Sequence, residues 1–364
     1  MKTTLLYKTA LILFLIPTLV LGSTNEKWNG KYTKEKTVKK EFTVNRDALL
    51  KVDNSYGNID IVTYDGNTVF IEVHIKTNGN NEEKVQKKLD DIHIEFNGTS
   101  SLVEARTKFS KSSNSWWNWG KNNNVNMEVN YTIKLPISNS VDLSNDYGSI
   151  NLDKLEGRAT ISCDYGKITT KELMADNNVL NFDYTHNSYF EYIKSGKINA
   201  DYSGYTVGKT KNLKISADYT KSVIEVAEDV DYNCDYGSIH IEKANNVMGN
   251  GDYLTTRLGD IYKNVSLKAD YGSIEIKQMT ANAGNLSVQS DYTGITVGYN
   301  SGYNFDFEID LEYASLRDKD ELEISKQKIE STNKYYAGYY GNANSGNLIK
   351  IDSEYGSVSL KKIN

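Results

Sequence analysis

Leu267-Lys268-Ala269-Asp270-Tyr271-Gly272-Ser273-Ile274 is one copy of a unit that recurs through most of this chain and decides its fold class. The acid–tyrosine pair at its centre returns at Asp146-Tyr147-Gly148-Ser149-Ile150, Asp164-Tyr165, Asp183-Tyr184, Asp201-Tyr202, Asp218-Tyr219, Asp235-Tyr236-Gly237-Ser238-Ile239, Asp252-Tyr253, Asp291-Tyr292, Glu312-Tyr313 and Glu354-Tyr355. Successive tyrosines from Tyr147 to Tyr313 stand 18, 19, 18, 17, 17, 17, 18, 21 and 21 residues apart, and the last step, 42, reads as two steps of 21. An outlying copy, Ser55-Tyr56-Gly57-Asn58-Ile59, opens the array.

A period near 18 is the length of one coil of a β-solenoid, in which no coil buries its apolar face alone and each stacks on its neighbours. The composition agrees. The chain carries 27 Tyr and only 2 Pro, one of which, Pro17, lies near the start. Aromatic and β-branched residues suit pleated surfaces, whereas proline removes a ladder donor. The fold expected is all-β: a single-stranded parallel β-helix, right-handed by the crossover rule.

Period-two alternation assigns the faces. In Leu267-Lys268-Ala269-Asp270-Tyr271 the apolar residues, the small residue and the tyrosine share one parity and the aspartate takes the other, so Tyr is expected to point in and Asp out. Tyr147, Tyr165, Tyr184, Tyr202, Tyr219, Tyr236, Tyr253, Tyr271 and Tyr292 then form a structural ladder. The Gly that often follows Tyr is expected to take the unusual dihedrals of a corner. Stacked aspartates ~4.8 Å apart repel by roughly 0.9 kcal/mol per pair in water. A charge-assisted bond to backbone N–H two residues on, worth about 1.5–3 kcal/mol, outweighs that. Lys167, Lys221, Lys268 and Lys277 offset the remainder. The other reading of the acid row, a line of calcium sites, stays open, although calcium loops concentrate several oxygen ligands within a few residues. Cys163 and Cys234 fall in one column four coils, or ~19 Å, apart, too far for a disulfide, and are expected as buried free thiols.

Three regions follow. Residues 1–22 place Lys2 and Lys8 ahead of the apolar run from Ala10 to Ile16, the form of a cleavable secretory signal. That run is shorter than the ~20 residues of a membrane span. Residues 23–140 break the short period and are expected to cap the array with strands and a short helix at Glu82-Asp91, and they include a polar loop holding Trp116, Trp117 and Trp119. Those tryptophans are candidate ligand contacts, able to stack on sugar rings or anchor a partner, or else to fold back over the core. Residues 141–364 carry the repeats, with an insertion at about 317–346 that leaves the array and returns. The repeat runs to Asn364, so no separate C-terminal sorting module is expected.

Loss of Lys2 and Lys8 with the signal takes the formal charge from −6 to −8, which disfavours nucleic acid and anionic membrane surfaces as partners, and with no other run long and apolar enough to span, no membrane insertion is expected after signal cleavage. His74, His93, His186 and His240 are scattered over surface strand positions. No catalytic elbow, metal-ligand or cofactor-binding pattern is present, and neither a catalytic residue nor a cofactor is assigned.

The segments Val129-Asn130-Tyr131-Thr132-Ile133-Lys134-Leu135-Pro136, Val141-Asp142-Leu143 and Tyr147-Gly148-Ser149-Ile150-Asn151-Leu152 resemble the "putative-adhesin" β-strand repeat family of bacterial envelope proteins, a domain of unknown function. The close of the chain, Leu348-Ile349-Lys350-Ile351 and Tyr355-Gly356-Ser357-Val358-Ser359-Leu360, is similar too. The resemblance implies a parallel β-helix at the cell surface or in the envelope and brings no catalytic residues. The function expected is that of a non-enzymatic exported adhesin or binding scaffold, at the surface, secreted or periplasmic, with a glycan or another envelope or surface protein as partner. The alternative is a polysaccharide-active lyase or hydrolase.

Overall fold

The computed structural model describes residues 28–110 and 125–363. The segment read as a signal and the loop bearing Trp116, Trp117 and Trp119 lie outside them. Among the described residues the regular structure is β apart from one helix, Glu82–Asp90, and the strands join in a 27-stranded sheet.

The strands form two long ladders. The first holds strands that end just before a repeat tyrosine: Leu49–Ser55, Ser140–Asp146, Ala159–Asp164, Asn178–Asp183, the second halves of Ser188–Asp201, Gly204–Asp218, Lys221–Asp235 and Ser238–Asp252, then Val265–Asp270 and Leu286–Asp291. The second holds strands that begin just after the tyrosine: Ile59–Tyr64, Ser149–Leu152, Lys167–Leu173, the first halves of the long strands, Thr255–Ile261, Ser273–Met279 and Gly294–Asn300. Pairing within these series is parallel, and each residue faces its counterpart one repeat on: Ile198 meets Ile215, Ala200 meets Ala217, Asp201 meets Asp218. Register is fixed because a one-residue slip would send every inward side chain to solvent.

The inward column Leu143, Ile161, Leu180, Ile198, Ile215, Tyr232 and Leu267 is buried throughout, each aliphatic member contributing roughly 1.5–3 kcal/mol of transfer free energy. Size alternates where it must: Tyr232 leans over Gly249 of the next repeat, and a Cβ on Gly249 would lie 2.0 Å from the tyrosine ring. Cys163 and Cys234 are buried, free thiols, pushed up to about 12 by burial.

The repeats do not stack simply in chain order. Leu49–Ser55 and Ile59–Tyr64 form the first repeat and pair directly with Ser140–Asp146 and Ser149–Leu152, while residues 68–136 make an excursion between them. That excursion closes one end. Thr68–Gly79 runs antiparallel between Tyr32–Thr43 and Val125–Pro136, and Ile92–Gly98 pairs antiparallel with Leu102–Phe109. The helix starts where Asn81 Oδ1 accepts the Lys84 N–H at 2.9 Å, with Glu82 and Glu83 in its first turn, and it buries Val85 and Leu89. On the outer edge, Tyr32–Thr43 is studded with lysines, which discourages further strand pairing.

At the other end the 42-residue step is not two repeats in line. After Phe305–Glu312 the chain forms the antiparallel hairpin Glu323–Glu330 and Asn333–Tyr340, then turns back. Leu348–Glu354 inserts between Leu286–Asp291 and Phe305–Glu312, parallel to both.

A tyrosine and carboxylate ribbon as the candidate functional site

The tyrosines do not point in. From Tyr147 to Tyr355 the repeat tyrosines are 45–54 % exposed, and each, Tyr56 included, has a left-handed backbone with φ between 50° and 65°. The reason lies in the count across the corner. The last inward residue before it and the first after it are five apart, as in Cys163 to Ile168, Cys234 to Ile239 and Ala269 to Ile274. Strict alternation cannot return inward after an odd step, so one residue must leave the pleat. The tyrosine does, and acid and ring then face outward together.

The glycine after it plays a different part from the one expected. Gly148, Gly166, Gly237 and Gly272 are not left-handed; a Cβ there would lie 1.9–2.4 Å from a carbonyl oxygen of the adjacent repeat. Other repeats fill the position with a hydroxyl that ties the corner. Thr220 Oγ1 donates to the Ala200 and Asp218 carbonyls at 3.0 and 2.9 Å, and Thr293 does the same to Ala269 and Asp291.

Twelve rings stack face to face in the order Tyr56, Tyr147, Tyr165, Tyr184, Tyr202, Tyr219, Tyr236, Tyr253, Tyr271, Tyr292, Tyr355, Tyr313. Centroids lie 4.6–5.2 Å apart and planes within 8° of parallel. Apart from Tyr313, whose N–H donates to the Thr332 carbonyl, each of these tyrosine N–H groups donates to the acid carbonyl of the neighbouring repeat, for example Tyr219 to Asp235 at 2.9 Å and Tyr292 to Glu354 at 2.9 Å. The ladder thus continues through the corner without a gap. Ring faces are consumed by stacking, and what solvent meets is a comb of ring edges and phenol hydroxyls, roughly 54 Å long at one strand spacing per ring. Partial burial between neighbours, then the adjacent phenols, holds Tyr165, Tyr202, Tyr236 and Tyr271 above the usual phenol range.

Beside the rings runs a row of eleven carboxylates, Asp146 through Asp291 with Glu354 and Glu312. Their bonding is between repeats, not within a turn: the N–H groups of Asp201, Asp218, Asp235 and Asp252 donate to Oδ1 of the preceding aspartate at 2.8–3.2 Å. The lysines expected to offset the row do not ion-pair with it. Among the described residues no member of the row is ion-paired, and Lys277 bridges Asp260 instead. Burial, then the neighbouring carboxylates, holds Asp146 and Asp252 above the usual carboxylate range, and the charge of Asp291 does the same for Glu354.

Two concavities flank the ribbon's scaffold. A groove of about 470 Å³ follows an asparagine column in which Asn246 Nδ2 donates to Asp229 and the Asn264 and Asn285 N–H groups donate to the preceding Asn side chain. A second, about 350 Å³, gathers His240, Glu242, Arg257, Asp260, Glu275 and Lys277. This is a convergence of unlike charges that sequence reading missed, because its members are outward residues of three successive repeats. Two of its cations are engaged: Arg257 Nε lies 3.6 Å from Glu275 and Lys277 Nζ 3.3 Å from Asp260.

No family model matches the chain, and no curated protein matches it. Among solved structures it is similar to a "putative cell adhesion protein" from Clostridium sporogenes, at 12% identity over 91% of this chain and 100% of that one, with a TM-score of 0.19. It is also similar to a "putative adhesin" from Parabacteroides merdae, at 12% identity over 90% of this chain and 97% of that one, TM-score 0.32. A "putative lipid binding protein" from Parabacteroides distasonis matches at 9% identity over the same shares, TM-score 0.32.

Proposed function

We propose that this chain is a non-enzymatic, exported binding protein of the bacterial envelope, an adhesin-type scaffold wound as a right-handed, single-stranded parallel β-helix. Its ligand face is the tyrosine–carboxylate ribbon. The observation that carries this reading is the exposed ring stack, because the apolar core is complete without it and every ring sits in a backbone conformation that disfavours L-residues. Tyrosine presents a rigid, amphipathic contact at low entropic cost and is enriched at binding hot spots. With ring faces covered, a partner is held by hydroxyls, ring edges and carboxylates along its length. That suits an extended partner, either a glycan chain or another envelope or surface protein.

The test uses the full chain against a glycan panel and isolated envelope fractions. Tyr219→Asn, Tyr236→Asn and Tyr253→Asn together remove three rings while keeping a residue that tolerates the left-handed backbone. Retention should fall at least tenfold with circular dichroism unchanged. Unchanged retention would exclude the ribbon, and loss only in Trp116→Ala with Trp117→Ala would move the site to that loop. The second reading, a polysaccharide-active enzyme, draws on the mixed-charge concavity at His240 and Glu275. It requires turnover of a panel glycan that disappears in Glu275→Gln.

A further inference from the structure

Residues 348–363 fill a slot whose two walls are both built by earlier residues. On one side Leu348–Glu354 pairs in parallel with Leu286–Asp291, from Leu286 opposite Ile349 to Asp291 opposite Glu354. On the other it pairs with Phe305–Glu312, from Asp306 opposite Leu348 to Glu312 opposite Glu354. Val358–Ile363 likewise lies between Gly294–Asn300 and Leu316–Arg317. The ring stack records the same insertion: Tyr355 lies 4.6 Å from Tyr292 and 4.8 Å from Tyr313. Ile349, Ile351, Val358 and Leu360 complete the core at this level. With the segment withdrawn, the slot would present two unpaired strand edges over an apolar floor, a template for an incoming strand.

The segment reaches the slot through one strap, residues 341–347, which crosses the start of Phe305–Glu312 from its hairpin side to its slot side. The strap reads Gly-Asn-Ala-Asn-Ser-Gly-Asn and is largely exposed, and Gly341, Asn344 and Gly346 are left-handed. Side chains of the strand beneath hold it down: Asn304 Oδ1 accepts the Asn342 N–H at 2.9 Å and Asp306 Oδ1 accepts the Asn344 N–H at 3.0 Å. It has no buried apolar anchor of its own, which marks it as a place for local opening.

We infer that residues 348–363 are an exchangeable strand pair, and that the segment of one copy occupies the slot of a second copy of this chain. The contacts are identical whichever copy supplies them, so the choice is set by the strap and by concentration. An intact strap gives the segment an effective concentration on the order of millimolar for its own slot, which favours the closed monomer in dilute solution. Exchange then dominates at high concentration or when the strap is too short to cross.

Ser290 and Ser353 provide the test, since they are register partners, both buried, with Oγ atoms 3.2 Å apart across the slot. One full-length chain carries Ser290→Cys and another Ser353→Cys. They are mixed at high concentration, opened with mild denaturant, refolded and oxidised. A disulfide-linked heterodimer on non-reducing gels is expected, with the dimer-to-monomer ratio rising about tenfold for each tenfold rise in monomer. Monomer alone at every concentration would overturn the inference. Because the engineered bond could fail on geometry, a second chain lacking residues 342–346 is measured by light scattering without any cysteine change. It should be predominantly dimeric, and a folded monomer would equally overturn the inference.

Discussion

At each repeat one tyrosine accepts a left-handed backbone, a conformation that costs an L-residue roughly 1–2 kcal/mol. Against that, a stacked aromatic pair contributes about 0.5–1.5 kcal/mol beyond its buried area, and each interior ring adds one such pair per repeat. The two effects are of similar size, so the ring stack largely offsets the strain of the corner that displays it. Replacing Tyr219 separates them. Tyr219→Asn loses both stacks but keeps a residue that visits the left-handed region, and should destabilise by about 1–2 kcal/mol. Tyr219→Val loses the same stacks and adds a β-branched side chain at positive φ, which should cost about 1–2 kcal/mol more. Urea midpoints check this; equal midpoints for the two variants would show that the backbone conformation carries no penalty.

Between neighbouring strands the governing rule is complementarity of size along an inward column. Tyr232 and Gly249 face each other across one ladder step, and the tyrosine hydroxyl lies 3.2 Å from Thr256 Oγ1. Gly249→Val would push a branched side chain into that ring, an overpacking that typically costs 1–3 kcal/mol. Tyr232→Leu frees the space, so the double variant should be more stable than the two single effects combined would give. A double-mutant cycle measures this, and additive effects would mean that the column relaxes without the contact. The same close fit acts at the corners: at Thr220 and Thr293 a hydroxyl ties the carbonyls together, and at Gly148, Gly166, Gly237 and Gly272 no side chain is there to meet them.

Over the whole molecule the carboxylate row is an electrostatic feature that runs the length of the repeats. Asp146 and Asp252 are held above the usual carboxylate range by burial and by their neighbours in the row. Folding therefore raises their proton affinity. The stability they contribute is fully present below the unfolded value near pH 3.9 and is lost as pH rises through the higher folded value. Asp146→Asn with Asp252→Asn should accordingly melt at a higher temperature than the parent at pH 7. The difference should shrink with added salt and vanish below about pH 4. A melting series over pH and ionic strength tests this, and a gap that persists in acid would assign the gain to packing. The pH dependence of ligand retention should follow the same row if the ribbon is the binding face.

Period, composition and alternation along the chain determined the all-β class, the ladder of equivalent residues, the helix at Glu82–Asp90 and the free, buried thiols, because each depends on local spacing. Even the outward turn of the tyrosines was legible, in the odd five-residue interval from Ala269 to Ile274, though local alternation alone reads it the other way. Only the tertiary structure decided which repeats are neighbours. Tyr56 stacks on Tyr147 although the two lie 91 residues apart in the chain, and Tyr355 enters between Tyr292 and Tyr313 out of chain order. Equivalent repeats offer nearly the same edge to any partner strand. Their order is therefore set by which pairings leave no open edge and no void in the shared core, and those are properties of the assembled ladders rather than of any one repeat.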